Sequence, residues 1–141
     1  LAQRLKGGRL TNVVRLDRDM GDLGIPSESV DLAITALNFH DIYNGAGETA
    51  ALELLSQVYG LLKPGGVFGV IDHVGNPGAD NNRLHRMDEA AMRGLVARSA
   101  FQLDGSGDLL RNPQDDHTGG VFAADIRGNT DRFLFRLRKP K

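Results

Sequence analysis

The segment LLKPGGVFGVIDH, residues 61–73, constrains the fold of this chain more than any other part of the sequence. A leucine-rich stretch with apolar residues at helical spacing leads into it, so the segment begins as the end of a helix. Lys63 complements the dipole at a helix C-terminus, and Pro64 cannot continue the helix. Gly65 or Gly66 can take the left-handed conformation of a cap. The apolar run VFGVIDHV then indicates a buried strand, so a helix is joined directly to the strand on which it packs.

The rest of the sequence alternates further strands and helices. VDLAITALNFH is apolar for most of its length, which is typical of a strand covered on both faces in a parallel sheet. The predicted order is a helix end at 1–8, a strand at about 12–17, a loop at 20–29, a strand at 30–40, a helix at 48–62, a strand at 67–74, a helix at 84–98, a weaker strand at 101–110, a polar loop at 111–129 and a final strand at 131–141. The final strand ends in basic residues, which suits a place near a sheet edge. This order predicts an α/β fold with a mostly parallel sheet.

The composition limits the classes of partner that this chain can have. Neither the net charge of -1 nor the aromatic content of 6% indicates a nucleic acid or an anionic membrane as partner. The absence of cysteine excludes disulfides and thiolate metal sites. No apolar run reaches the roughly 20 residues of a membrane-spanning helix. The sequence starts at leucine rather than methionine, so we expect a truncated or processed product.

Polar residues stand where the predicted strands end, and ligands of parallel α/β sheets bind at that edge. Histidine titrates near working pH, so His40 could act as a general base that Asp41 orients. Alternatively, His40 packs as a neutral, hydrogen-bonded histidine and Asp41 caps a helix. Asp72 and His73 end a buried strand, where a charged group is unfavourable unless it is paired or solvated. They are therefore expected either to contact a substrate or to form a structural pair with another residue of the cleft.

The other histidines have plainer interpretations. His85 and Asp88 lie near a predicted helix start, which favours capping and packing. Asp115, Asp116 and His117 lie in the long polar loop, where they could close over a substrate or remain solvated.

Taken together, these segments resemble the C-terminal two-thirds of class I S-adenosylmethionine-dependent methyltransferases. The resemblance is carried by DRDMGDLGIPSESVD, with Asp19 and Asp31 at the family's separation, and by ALNFHDIY, LLKPGG and VFGVIDH. HDIY, IDH, LHRMD and TDRFLFRLRKP look most like a bacterial group of predicted methyltransferases. The resemblance implies a Rossmann-like, mostly parallel sheet with flanking helices and an antiparallel last strand. It also implies transfer of a methyl group from S-adenosylmethionine to a small-molecule acceptor.

The resemblance implies roles for individual residues as well. Asp19 would accept a hydrogen bond from the adenine amino group, although Asp17 or Asp22 could take this place, and Met20 would pack on the adenine face. The loop from Asn38 to Asp41 would border the transferred methyl group. The implied cofactor-binding residues are Asp19, Met20, Asn38 and Phe39, the catalytic residues His40 and Asp41, and the substrate-binding residues Asp72, His73 and His117.

The sequence departs from the family in one respect. The glycine-rich turn after the first strand and the acidic residue that ends the second strand have no counterpart. Residues 1–141 are therefore expected to be a single partial methyltransferase domain that lacks the first βαβ unit and is impaired in cofactor binding. Such a domain would expose a sheet edge and apolar surface, which predicts a homodimer. We expect it to be cytoplasmic.

Three other interpretations stay open. The chain could be a non-catalytic, truncated or degenerate Rossmann-like domain that dimerises. It could be a metal-assisted O-methyltransferase, with Asn38, Asp41 and Asp72 around the ion, although no two histidines stand at HxH or HxxxH spacing and no metal site is expected on balance. A nucleotide-binding dehydrogenase is the weakest alternative, because its G-x-G-x-x-G fingerprint is absent.

Overall fold

A five-stranded sheet organises residues 2–141, the part of the chain that the computed structural model describes. Its strands are β1 (Val30–Ala36), β2 (Leu62–Gly75), β3 (Met87–Asp88), β4 (Gln102–Gly107) and β5 (Arg132–Arg138). The order across the sheet is β1-β2-β5-β4, and the short β3 pairs with β2. β1 and β3 run parallel to β2, whereas β5 is antiparallel to both β2 and β4. Only β5 is reversed among these strands, so the predicted mostly parallel sheet with an antiparallel last strand is confirmed.

Two short helical segments precede the first strand, and the other described helices connect β1 to β2, β2 to β3 and β3 to β4. The helical segments are α1 (Ala2–Leu5), a 3-10 turn at Met20–Asp22, α2 (Phe39–Leu61), α3 (Asn81–Leu84) and α4 (Glu89–Arg98). α2 is interrupted at Gly47, whose φ of 88° and ψ of 175° are not helical, and the predicted helix at 48–62 is the part after this break. Leu1, an apolar position of the predicted N-terminal helix, lies outside the described residues. Within residues 2–141, no helix is both long and apolar enough to cross a membrane.

The hydrophobic core lies on one face of the sheet. Side chains of β2 and β5 pack there against α2 and α4, and the rings of Phe133 and Phe135 stand 4.8 Å apart. On the opposite face, Leu32 and Ile34 of β1 are 56% and 63% exposed. The expectation that the strand at 30–40 is covered on both faces is therefore wrong for the described chain. The apolar composition favoured a strand covered on both faces, but no described element packs on the face that carries Leu32 and Ile34.

The end of α2 is capped from a distant part of the chain. Gly65 has a φ of 81°, as predicted for the turn after the helix. Lys63, the predicted complement of the helix terminus, instead forms an exposed ion pair with Asp31. The ammonium group of Lys139 donates hydrogen bonds to the carbonyl oxygens of Tyr59 and Leu62, at 3.1 and 2.8 Å. It thus satisfies carbonyls that a helix end leaves without partners.

The predicted strand at 12–17 is wrong. These residues are irregular and exposed, and Val14 is 80% exposed. A strand requires a neighbour for its backbone hydrogen bonds, and no strand of the described chain pairs with this segment. The β-branched composition of residues 12–17 therefore does not by itself predict a strand.

The predicted helix at 84–98 is divided. α3 ends at Leu84, His85 adopts left-handed backbone with a φ of 54°, and α4 starts only at Glu89. The Asp88 carboxylate accepts a hydrogen bond from the backbone of Ala90, which fixes the new helix start and confirms the predicted capping role of Asp88.

The final strand lies inside the sheet rather than near its edge. β5 pairs with β2 on one side and β4 on the other. Its arginines do not discourage pairing, because Arg136 and Arg138 both form ion pairs with Asp104 of β4, at 3.0 and 2.7 Å. Arg136 and Arg138 therefore stabilise the pairing of β5 with β4.

Candidate active site

The carboxyl ends of β1 and β2 bring His40 and Asp72 together. The two strands are parallel and Ala36 lies opposite Ile71, so the first turn of α2 stands beside Asp72. The backbone N–H of His40 donates to Asp72 Oδ2 at 2.8 Å, and His40 Nδ1 lies 2.7 Å from Asp72 Oδ1. Asp72 is completely buried and His40 is 3% exposed. An ionised carboxylate only accepts hydrogen bonds, so Nδ1 of His40 carries the proton and Nε2 faces the other way.

Two further side chains meet His40 on its Nε2 side. Asp41 Oδ1 lies 3.2 Å from His40 Nε2 and also 3.2 Å from His85 Nδ1. Asn38 Nδ2 donates weakly to the other carboxylate oxygen of Asp41, at 3.5 Å. The rings of His40 and His85 are 5.6 Å apart and nearly perpendicular. His40, Asp41, Asp72 and His85 therefore form one connected group, which we call the histidine cluster.

The protonation of His40 reflects opposing effects. Burial is the largest effect and disfavours the imidazolium, but the hydrogen bond and charge of Asp72, with the charge of Asp41, outweigh it. The pKa of His40 is consequently raised above its ordinary value. The two carboxylates thus favour a positive charge at this position.

His73 lies beside the histidine cluster in a different environment. Its Nδ1 is 2.6 Å from Thr130 Oγ1, and its ring centroid is 5.8 Å from that of His40. Arg132 Nε donates to the same Thr130 oxygen at 3.1 Å, which leaves the hydroxyl proton free to be donated to His73. Burial, with smaller contributions from neighbouring positive groups, lowers the pKa of His73 to about 4, despite the opposing charge of Asp72. His73 is therefore neutral at neutral pH.

We expect His73 to make the stability of the fold depend on pH. Its pKa is lower in the folded chain, at about 4, than the value of 6.5 for a free side chain. The unfolded chain therefore takes up this proton first, so stability is lost as pH falls from 6.5 toward 4, by about 3 kcal/mol. Urea unfolding between these pH values should show that His73→Asn loses this part of the slope. An unchanged slope in His73→Asn would contradict the prediction.

A second buried network holds the late loop against the sheet. Arg86 is completely buried, and its guanidinium binds both carboxylate oxygens of Asp115 at 2.9 Å. The same guanidinium donates to the carbonyl oxygens of Val74 and Gly119. Burial opposes ionisation of Asp115, but its hydrogen bonds from Arg86 and from backbone N–H groups prevail and lower its pKa. The loop is thus anchored immediately next to His85.

The structure brings several of the predicted site residues together. Asn38, His40, Asp41, Asp72 and His73 share one region at the carboxyl ends of β1 and β2. The predicted loop from Asn38 to Asp41 is wrong, because α2 already begins at Phe39. Of the two expectations for Asp72, a structural pair with another cleft residue is the one observed.

The remaining predicted site residues lie apart from this region or are not accessible. Asp19 and Met20 are exposed at the 3-10 turn, and the groove beside Met20 is lined by residues of the turn and of α2 such as Gln57. Phe39 is completely buried in the hydrophobic core, so it exposes nothing to a cofactor in this arrangement. His117 contacts Asp131 through Nε2, at 2.9 Å.

Sequence reasoning missed two members of this region. His85 was assigned to capping and packing, because it lies near the start of a predicted helix. Thr130 lies at the end of a polar loop and carried no signal.

Of the comparisons with known proteins, the one with solved structures identifies the fold. No family model matches the sequence, and no curated protein matches it either. Among solved structures, an Aquifex aeolicus S-adenosylmethionine-dependent methyltransferase superimposes with a TM-score of 0.65 at 15% identity, covering 98% of this chain and 60% of that chain. A Sulfolobus solfataricus protein assigned as a type 11 methyltransferase gives a TM-score of 0.58 at 23% identity, with coverages of 99% and 64%.

A third similar structure is an S-adenosylmethionine-dependent methyltransferase from Mesorhizobium loti, with a TM-score of 0.55 at 14% identity and coverages of 96% and 76%. The chain spans 64% and 60% of the length of the Sulfolobus and Aquifex proteins. The chain therefore has the Rossmann-like fold seen in S-adenosylmethionine-dependent methyltransferases.

Proposed function

We propose that this chain is the C-terminal part of a methyltransferase that uses S-adenosylmethionine and methylates a small polar molecule. The observation that carries the proposal is the His40–Asp72 pair at the carboxyl ends of two parallel strands, in a fold shared with methyltransferases. Ligands of open α/β sheets bind at this edge, and polar groups placed there are available for chemistry. The proposed bacterial origin and cytoplasmic location stay predictions.

The described residues fit one end of the proposed cofactor. Asp19 offers an exposed carboxylate for the adenine amino group, and Met20 is 37% exposed next to it. Within residues 2–141, no glycine-rich turn follows a strand at a position that could hold the methionine end. The cofactor would supply an electrophilic methyl group. The chain's own residues would bind the adenine and orient the acceptor, and we expect weak binding.

An open groove beside His73 is the proposed site for the part of the methyl acceptor that does not react, since its lining does not include His40. It has a volume of about 580 Å³, within the usual range for small-ligand sites, and its lining includes Arg111, Asn112, Thr130 and Arg132. Thr130 connects this groove to His73 through their 2.6 Å contact. Arg111 already pairs with Glu89 and Asp131, and Asp125 also lines the groove, so the lining favours a polar acceptor with both donor and acceptor groups.

The residues of the histidine cluster have proposed roles that follow from their contacts. Asp72 holds the ring of His40 through two hydrogen bonds and fixes which nitrogen carries the proton. His40 then presents Nε2 toward Asp41, at the half-exposed end of the cluster. We propose His40 as the group that receives a proton from the acceptor, with Asp41 as its neighbour in the site.

Calorimetric titration with S-adenosylhomocysteine tests the proposal. We expect saturable but weak binding, and Asp19→Asn should weaken it by about 3- to 10-fold, the value of one hydrogen bond. Asp17→Asn is the matched control, because Asp17 is also exposed but its Oδ1 already accepts a hydrogen bond from Arg15 Nε at 2.6 Å. Loss of affinity in Asp17→Asn instead would overturn the assignment of Asp19. No saturable heat would contradict cofactor binding by this chain.

A second candidate function is a non-catalytic domain that dimerises. The observation in its favour is the uncovered face of β1, where Leu32 and Ile34 are more than half exposed. In the described chain, β1 also has a strand partner on one side only, so its other edge can pair with a second copy. Light scattering on the calorimetry sample separates the two candidates. A dimer without affinity for S-adenosylhomocysteine favours this alternative, whereas a monomer with affinity excludes it.

A further inference from the structure

Three metal-ligating side chains converge at the open end of the histidine cluster. His40 Nε2 and His85 Nδ1 each lie 3.2 Å from the same oxygen of Asp41. All three groups can place one ligand atom within 4.8 Å of the other two. They come from the start of α2 and from the turn after α3, so the fold rather than local sequence spacing assembles them.

These separations match those of ligands around a small ion. Ligand atoms held about 2.0–2.2 Å from one ion in a tetrahedral arrangement lie about 3.3–3.6 Å apart. Both nitrogen-to-carboxylate distances, at 3.2 Å, are close to that range. The side chain of His85 is 43% exposed and can turn to complete the geometry.

The residue behind His40 prepares it as a ligand. Asp72 accepts the Nδ1 proton of His40, so Nε2 carries the lone pair that a metal requires. A carboxylate behind a metal-bound histidine is the usual second layer of zinc sites, where it fixes the ring and raises its basicity. Asp72 is completely buried and also accepts the backbone N–H of His73 at 2.8 Å, so its position is fixed by the sheet.

From this geometry we infer that His40, Asp41 and His85 form a binding site for a divalent transition metal, with Zn²⁺ as the preferred ion. Two imidazoles and one carboxylate suit Zn²⁺, whereas Mg²⁺ and Ca²⁺ require oxygen ligands. Asp41 is half exposed, so the site opens to solvent and leaves a fourth position for water or a ligand atom. This donor set differs from the one that the sequence suggested, because Asp72 lies on the Nδ1 side of His40 and cannot join Asp41 around one ion.

The inference is tested by titrating the chelator-treated chain with Zn²⁺ in a calorimeter, without any S-adenosyl ligand. We expect one ion per chain, no saturable heat with Mg²⁺, and a visible absorption band when Co²⁺ is bound instead. His85→Asn should lower the Zn²⁺ affinity by more than about 100-fold, beyond the 10- to 100-fold loss expected for an outer residue such as Asp72 in Asp72→Asn. Bound Zn²⁺ and proton acceptance by His40 exclude each other, because both use the Nε2 lone pair. Binding of S-adenosylhomocysteine at Asp19 is independent of either, so the two titrations can fail separately.

His117→Asn is a matched control for His85→Asn. Both histidines have left-handed backbone, with φ values of 64° and 54°, and asparagine tolerates that conformation better than most residues. His117 lies outside the proposed ligand set and contacts Asn76 and Asp131. We expect His117→Asn to bind Zn²⁺ as the wild type does. Equal affinity of the wild type and His85→Asn, or an equal loss in both variants, would overturn the site.

Discussion

Replacement of Arg86 by methionine is expected to lower the free energy of unfolding by about 3–5 kcal/mol. Arg86 is completely buried, and its loss would leave the Asp115 carboxylate inside the protein without its cation. The carbonyl oxygens of Val74 and Gly119 would lose their donors at the same time. Urea denaturation followed by circular dichroism measures this change.

Two companion variants make the Arg86 prediction specific. Arg83→Met removes a guanidinium from an exposed position three residues earlier and should change stability by no more than about 0.5 kcal/mol. Asp115→Asn in the Arg86→Met background removes the buried carboxylate that has lost its cation. The loss of stability in the double variant should therefore be smaller than the sum of the two single-variant losses by about 1 kcal/mol or more. A loss below about 1 kcal/mol in Arg86→Met would show that water or another side chain replaces the guanidinium.

Replacement of Asp72 by asparagine is expected to destabilise the chain by about 2–3 kcal/mol. The buried carboxylate accepts hydrogen bonds from His40 N, His40 Nδ1 and His73 N. Asparagine has only one acceptor oxygen, so its amide group would face a donor and leave one of these groups unsatisfied. The measurement is again the midpoint and slope of urea unfolding.

Asp31→Asn is the control for the Asp72 variant. Asp31 is an exposed carboxylate whose ion pair with Lys63 at 2.7 Å is solvated, so its loss should change stability by less than about 1 kcal/mol. Equal effects of the two substitutions would indicate that the Asp72 hydrogen bonds are replaced without loss. In that case the orientation of His40 would not depend on Asp72.

The parts of the fold that follow from local chemistry were predictable. Pro64 and Gly65 mark a turn wherever they follow a helix, and the strand after them could be identified from its apolar run. The meeting of His40 with Asp72 was also predictable, because the carboxyl ends of parallel strands share one edge of the sheet. These inferences depend on rules that hold irrespective of the rest of the chain.

The errors have a common physical origin in contacts that are distant in sequence. The helix predicted at 84–98 depended on the helical spacing of Leu84, Met87, Ala91 and Leu95, of which Ala91 is partly buried and the other three are buried. The helix predicted from their spacing nevertheless breaks at His85, because a short strand at Met87 pairs with β2. Periodicity reports which side chains are buried but not which backbone conformation buries them, and His85 was missed for this reason.

For a related reason, the sequence did not predict whether another element covers the exposed face of the sheet. The apolar side chains of Leu32 and Ile34 indicate that a strand prefers burial, but not whether anything is present to bury it. Similarly, the β-branched residues at 12–17 favour a strand only where a neighbour accepts their hydrogen bonds. A strand forms only where two segments pair, so the composition of one segment does not by itself predict a strand.

The capping of α2 by Lys139 has a consequence for the order in which the chain can be completed during synthesis. The carbonyl of Leu62 and the ammonium group that binds it are 77 positions apart, and the Glu28 carboxylate that neutralises this ammonium is 111 positions away. The carbonyls of Tyr59 and Leu62 therefore gain this partner only after β5 has been made. Those of Gly60 and Leu61 instead accept hydrogen bonds from the backbone N–H groups of Glu28 and Ser29, which are made before the helix. The end of the longest described helix is thus stabilised in two stages, first by residues made before it and then by a residue made after β5.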